Sequence, residues 1–591
     1  KEEHVKDRLT QVVDNYAMIV EENTKTRRLD KFNQIDADMR DLFRVDPDNK
    51  IGRSYWNIYY GEQVAPEYTE PGTPDGIPEW AFTQLELLKE YRYLISWYLE
   101  NREIENGELG GGISDDSDYT NYYPGFAAMG MMPDRLTDGA ARLMEAVYDQ
   151  GMLTDGVSTI KTDGLHTYEE GVNLILQMNI LQTGNPKQAE RMMETARNYR
   201  DRLFGVNDAG HVHMRSDFFS ATEMSTEGLW AWSTMRSYFH CAPAMIMGEL
   251  YGIHSARKLL ISFMDSMLAH AKPDARGKLL MPEDVNFNTD EVRSWGWNNS
   301  MPPLWFCWLW TGNPKYRAPI DDSGWIRSVG DKEAQVREYR NQLRILKTKE
   351  FLYTKGSIWT DRIQYSADAI QIARLGAPAM NRISHYAPSN PVAWRFEDEE
   401  NSGKVAIWVH DCDNSHFSVE FYNTDRKPVK VKLIGAQSLL GDWELVKPDG
   451  KIQALEFGRT RSVDLILPKG ESHISMRLTG EAVPYDSLTD LGISSEDIRI
   501  EGDKVAVTLH NVSGQDAEPM KVSLVNASGK TISSMTSPRI TAPEDLLPKT
   551  AVIRLAVPAG TELKGCRIVI DPDNEITELY ETNNSVTIDK K

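Results

Sequence analysis

One short turn appears twice in this chain, and it restricts the fold more than any other feature. Gln182-Thr183-Gly184-Asn185-Pro186-Lys187 returns as Trp310-Thr311-Gly312-Asn313-Pro314-Lys315. Glycine ends one helix in the left-handed conformation. Asparagine then caps the next helix, and proline suits its first turn because it has no N–H to leave unpaired. Met129-Gly130-Met131-Met132-Pro133 and Tyr251-Gly252-Ile253-His254 are looser versions. The four glycines lie roughly 54–68 residues apart, the length of a two-helix hairpin plus one long loop. Glu70-Pro71-Gly72-Thr73-Pro74-Asp75-Gly76 reads as a further turn, and residues 1–46 as a sixth hairpin. Six hairpins predict a closed (α/α)6 toroid, with an open solenoid as the alternative.

Apolar residues at helical spacing continue to about residue 345, most clearly over 79–100, 186–202 and 254–271. In such a ring the tight turns share one face. The long loops, at about 101–121, 151–166, 203–225 and 272–298, share the other. Long loops on a rigid scaffold are where chemistry usually sits. After about residue 380 the pattern becomes strand-like alternation, at 404–410, 417–422, 429–433 and 462–467. The expected organisation is a catalytic toroid over 1–345, a connecting segment over 346–384, a β-sandwich over 385–480 and a second over 484–591.

Four constellations carry candidate chemistry. The first runs from Asn106 through Gly110-Gly111-Gly112 to Asp115, Asp116, Asp118 and Tyr122-Tyr123. Glycines let a backbone approach a ligand closely, and crowded carboxylates raise one another's pKa, which makes general acids. A structural calcium ion, or carboxylates capping the next helix, is the competing reading. The second is the helix start at His166, Glu169 and Glu170. There His166, Glu170, Asn173 and Gln177 form one helical stripe free of Lys and Arg, as a lumen-facing surface would. The third holds His211, His213 and Arg215, then Glu223, Glu227 and Trp230. Glu223, Glu227, Trp230, Thr234 and Ser237 again keep helical spacing. His211 and His213 alternate as on a strand, but no third metal ligand stands nearby, so no metal is expected and a substrate hydrogen bond is preferred. Arg215 could hold a carboxylate. The fourth is Trp295-Gly296-Trp297-Asn298, where indole faces would stack on sugar rings and the amide would bond hydroxyls.

Composition excludes several classes. The formal net charge of −22 argues against nucleic acid, whose phosphates need a basic surface. No apolar run reaches the ~18 residues of a membrane span. Cys241, Cys307, Cys412 and Cys566 are too scattered for a zinc knuckle or a disulfide framework. No phosphate loop, nucleophile elbow, HExxH or dinucleotide fingerprint stands in its required context. The start at Lys1-Glu2-Glu3-His4 reads as a mature or trimmed terminus.

The repeated turns, the Gly-rich acidic loop and the His-Thr-Tyr-Glu-Glu helix start resemble six-hairpin glycosidases and toroid polysaccharide lyases over roughly 1–345. Asp490-Leu491-Gly492-Ile493, Val505 to Gly514, Ile570 to Glu578 and Glu581-Thr582-Asn583-Asn584 resemble the bacterial CARDB adhesion-related domain over about 484–589. That second resemblance implies an immunoglobulin-like sandwich in an exported bacterial protein, periplasmic, cell-surface or extracellular. Its acidic turn would bind calcium or simply close a hairpin.

The expected function is therefore glycoside hydrolysis of an oligo- or polysaccharide by paired carboxylates, one from Asp115 or Asp116 and one from Glu169 or Glu170. Asp118, Tyr122, His166, His213, Arg215, Glu227, Trp230, Trp295, Trp297 and Asn298 would line the substrate. The alternative is β-elimination at a uronic acid, with Tyr122, Tyr123 or a histidine as base. A non-catalytic glycan-binding protein ranks third, because a bare binder has no need of clustered acids in several loops.

Overall fold

A computed structural model of the chain describes all residues except 21–26, 62–67, 234, 297–300, 324–330, 355–358, 378–388 and 590–591, and no side chains at 235–237. Helices occupy the chain to Leu375, and strands dominate from Val392 onward. No helix among the described residues is long and apolar enough to cross a membrane.

The repeated turn sets the helical layering. Gly184 has φ +83°, the Asn185 side chain accepts the Gln188 N–H at 3.3 Å, and Pro186 opens the helix Pro186–Asn198. The second copy repeats this, with Gly312 at φ +64° and Asn313 accepting the Lys315 N–H at 3.1 Å ahead of Pro314–Ser323. Helices Tyr123–Ala128, Val172–Leu181, Ala242–Glu249 and Met301–Thr311 touch in succession. The last three are apolar around most of their circumference, which suits an inner layer. Their amphipathic partners, Pro133–Asp149, Pro186–Asn198, His254–Ala269 and Pro314–Ser323, pack against them. Glu2–Val20 and Arg28–Val45 pair as the hairpin expected near the N-terminus, with a small core of their own at Val12, Ile35 and Met39.

The helical body extends past the boundary expected at 345. Lys332–Thr354 is one unbroken helix lying along Glu79–Asn101. Tyr98 donates to the Tyr353 carbonyl at 2.5 Å, and Tyr365 stacks on Tyr122 at 4.3 Å between ring centres. Several described residues of the segment expected to be a connector thus join the helical core, where Tyr353 and Tyr365 pack with Tyr98 and Tyr122.

The β region has two units. In the first, Val392–Phe396, Val429–Gly435 and Ser462–Leu467 form a three-stranded antiparallel sheet. Val405–His410, His416–Asn423, Gly470–Leu478, Gly441–Val446 and Ile452–Phe457 form a five-stranded one. Alternate residues Phe417, Val419 and Phe421 are buried, and Phe421 meets Trp394 of the other sheet edge-on at 5.4 Å. In the second unit, Lys504–Asn511 is flanked by Lys549–Ala556 on one side and by Leu491–Gly492 and Ile498–Glu501 on the other. A further sheet orders Thr531–Thr536, Lys521–Val525, Arg567–Ile570 and Ser585–Thr587. Both of these sheets contribute to one apolar core, through Val505, Val507, Leu524 and Ile568.

The turns at Gly130, Gly184 and Gly252 dock on the C-terminal part of the chain. A Cβ on Gly130 would lie 2.7 Å from the Phe396 ring, and one on Gly184 would lie 2.9 Å from Tyr580. Asn583 donates to the Gly184 carbonyl at 2.9 Å, Gly514 N–H to Tyr251 at 2.8 Å, and Tyr580 to Leu250 at 2.5 Å. Buried Arg459 grips both the backbone and the carboxylate of Glu249, each at 2.6 Å. The long loops lie elsewhere, and they carry the site.

Candidate functional site

Short ribbons tie the long loops to one another. Thr162–Asp163 pairs with Phe218–Phe219, and Trp232–Ser233 with Val285–Asn286. The Ser117 hydroxyl bonds the Glu169 carbonyl at 2.8 Å, and Asn288 donates to the Thr226 carbonyl at 2.9 Å. All four loops are therefore cross-linked.

The acidic loop divides its carboxylates between two roles. Asp116 is fully buried and accepts from Leu109 N–H at 2.7 Å, Gly111 N–H at 3.1 Å and the Thr360 hydroxyl at 2.6 Å. Burial raises its pKa, and these hydrogen bonds offset part of the rise. A Cβ on Gly111 would sit 2.2 Å from the Thr360 hydroxyl oxygen. The Gly-rich run thus makes room for the loop's own clamp. Asp118 is buried too and accepts from Asn121 at 3.3 Å and Asn173 at 3.2 Å. Tyr122 both donates to and accepts from the backbone of Tyr365. Asp115 alone of the three acids stays partly exposed.

The polar stripe of the second constellation points inward but meets protein. Asn173 and Gln177 are fully buried and bond Ser117, Asp118 and Asn121. The absence of Lys and Arg there reflects burial against the helix Ile113–Tyr119.

At the start of that stripe the groups stay accessible. Asp163 caps the helix Gly164–Glu169 by accepting the Leu165 N–H at 2.9 Å. Its other oxygen holds His166 Nδ1 at 2.7 Å, while the imidazole remains 51% exposed. Glu170 is half-buried, and burial raises its carboxyl above the ordinary range, with His166 offsetting part. Helix Ile113–Tyr119 touches helix Gly164–Glu169, bringing Asp115 to the same neighbourhood as Glu169 and Glu170.

Strand pairing adds an aromatic platform. Asp163 lies directly opposite Phe218, and the Phe218 ring packs on Trp230 at 4.5 Å and 33°. Trp230 is 41% exposed, and Glu227 beside it is exposed as well. No α-helix carries these two residues with Glu223. Gly228, at φ +62°, opens only a single turn, Gly228–Ala231, before the strand Trp232–Ser233. Thr234 lies outside the described residues, as do Trp297 and Asn298.

A second cluster lies in the same loops. Val212–Met214 pairs with Phe204–Val206, and alternation puts His211 and His213 on one side. Asn207 closes this hairpin by accepting the His211 N–H at 2.9 Å. His270, just past the helix His254–Ala269, and Asp290 complete the group. Asp290 Oδ2 lies 2.8 Å from His211 Nδ1, and Oδ1 lies 3.3 Å from Nε2 of both His213 and His270. Burial first, then the neighbouring His270, lowers His213 to about 4, so its imidazole is neutral at physiological pH. Burial acts to raise the Asp290 carboxyl, but hydrogen bonds from Asn207 and His211 hold it below the ordinary range. Local sequence shows only two of these four groups, because His270 and Asp290 arrive from other loops. Arg215 lies over the Phe287 ring at 5.6 Å, beside this cluster and exposed. Trp295 donates to the His270 carbonyl at 2.9 Å, and the Lys272 ammonium covers its ring at 3.1 Å, so its face is occupied.

The acidic turn near the C-terminus closes on itself, with Asp571 accepting the Ile576 N–H at 2.8 Å. No protein-family model and no curated protein matches the chain.

Proposed function

We propose that the chain is a carbohydrate-active enzyme, a glycoside hydrolase built on an (α/α)6 toroid, with its site at Asp115, Asp163, His166, Glu169 and Glu170. The observation that carries this reading is the strand pairing that sets the half-exposed Phe218–Trp230 platform against the Asp163–His166 pair, three residues from Glu169. An exposed aromatic face takes the apolar C–H side of a sugar ring, and the neighbouring groups supply acid and base. Glu170, whose carboxyl burial raises above the ordinary range, gives its proton to the leaving glycosidic oxygen. Asp115 or Glu169 supplies the second carboxylate, which activates water or attacks the anomeric carbon. Asp116, with no exposed surface and its oxygens engaged by three donors, only shapes the loop. The partner is an oligo- or polysaccharide, and export from a bacterium is part of the proposal through the CARDB resemblance.

A second reading, polysaccharide β-elimination, is favoured by one observation. Asp163 fixes His166 through Nδ1, which leaves Nε2 as a base for the proton beside a uronate carboxyl. Tyr122, whose hydroxyl is committed to Tyr365, is no longer a base in that reading.

A panel of neutral and uronic-acid glycans, followed by reducing ends and by ultraviolet absorbance of a new C=C bond, tests both. New reducing ends without the absorbance, falling ~10²–10⁴-fold in Glu170→Gln, are the expected outcome. Absorbance that survives Glu170→Gln and vanishes in His166→Ala replaces hydrolysis by elimination. Activity unaltered in both variants removes this cluster from the chemistry.

A further inference from the structure

We propose that His211, His213, His270 and Asp290 bind a structural zinc ion that clasps the site-bearing loops. Their ligand atoms all lie within 4.8 Å of one another, and Nε2 of His213 and of His270 each stand 3.3 Å from Asp290 Oδ1. A tetrahedral zinc with ligands at ~2.0–2.1 Å requires ligand-to-ligand edges of about 3.3 Å. Three imidazoles and one carboxylate form a donor set suited to zinc, whereas magnesium and calcium prefer all-oxygen shells.

The hydrogen bonding around the cluster is incomplete in a way that a cation resolves. His213 is fully buried, and neither of its ring nitrogens has a hydrogen-bond partner. Nε2 of His270 is likewise unpartnered, although both Nε2 atoms stand 3.3 Å from the same carboxylate oxygen without hydrogen-bond geometry. Buried polar atoms are rarely left in that condition, because each costs ~1–3 kcal/mol. Nδ1 of His213 stays without a protein partner when Nε2 turns to the metal. The carboxylate is aimed by its surroundings: Asn207 donates to Asp290 at 2.6 Å, and Asp290 holds φ +62°, a left-handed conformation that disfavours a side chain. Such outer partners orient metal ligands.

Four protein ligands close a zinc shell, so the ion is structural and carries no substrate water. It joins the hairpin of 204–214, the end of the helix His254–Ala269 and the turn at Asp290. From that turn the strand Val285–Asn286 reaches Trp232–Ser233, two residues from Trp230. The clasp therefore stiffens the support of the aromatic platform, but its existence does not depend on what that platform binds.

The full chain, purified without added metal, is analysed by plasma mass spectrometry, stripped with a chelator and titrated with zinc. We expect one zinc per chain, a Tm lowered by roughly 3–5 °C on stripping, and recovery with zinc but not magnesium. Cobalt(II) should give the intense visible bands of a tetrahedral site. Asp290→Asn and His270→Gln, both at partly exposed positions, should fold and lose the zinc even if His213→Ala does not fold. Wild type that holds less than a tenth of an equivalent after zinc dialysis overturns the proposal. So does full zinc retention by both variants.

Discussion

The two faces of the helical body come from the same hairpins yet hold opposite kinds of interaction. At the turn face, backbone atoms of Gly130 and Gly184 meet the β units so closely that a single methyl group would collide. Side chains there bond directly across the junction, as Arg459 does with Glu249 and Asn583 with the Gly184 carbonyl. At the loop face, contact is made by two-residue ribbons, and several ionisable side chains are half-buried. A structure holds such groups only when stability is supplied elsewhere. Here the β units dock behind the helices, which leaves the loops free to serve the site.

That division breaks most visibly at Arg459. Replacing it with alanine leaves the buried Glu249 carboxylate without its cation, a change worth about 3–5 kcal/mol. Urea denaturation should show this loss, while kcat at low temperature stays within about twofold. A parallel fall in kcat would mean that the faces are coupled. A smaller effect comes from His510, which bonds Glu190 of the helical body at 2.6 Å and Asp497 at 2.9 Å. Burial acts to lower its pKa, but the two carboxylates raise it to about 9. The folded chain thus binds this proton more tightly than the unfolded chain, where histidine titrates near ~6.5. Its contribution is complete below that value and is lost as pH rises through about 9, on the order of 2–3 kcal/mol. Unfolding free energies of wild type and His510→Gln should therefore converge at alkaline pH. A constant difference would assign the stabilisation to packing.

The turn face was far more legible in the sequence than the loop face. A cap is local: glycine, asparagine and proline state their geometry within six residues, so the helix starts after Gly184 and Gly312 follow from the sequence. Alternation likewise marked 404–410 and 462–467 as strands. The site depends on partners distant in sequence. Nothing near Asp116 announces Thr360, which turns a candidate acid into a buried clamp. Nothing near His213 announces His270 or Asp290. Helical spacing from Glu223 to Trp230 was equally misleading, because a single glycine at positive φ overrides periodicity.

Trp230 offers the smallest stability effect and the sharpest test of the loop face. Its ring rests on Phe218 and the residue is 41% exposed, so Trp230→Ala should change unfolding free energy by only ~1 kcal/mol. If the ring is a sugar platform, the same substitution weakens substrate binding about tenfold, ~1.4 kcal/mol, and raises KM with kcat nearly constant. That combination separates a binding surface from a structural one, since a core aromatic loses ~3–5 kcal/mol of stability on truncation. A large loss of stability with unaltered KM would show that this face, too, is held together by its side chains. The contrast between the two faces would then reduce to a difference in backbone contact alone.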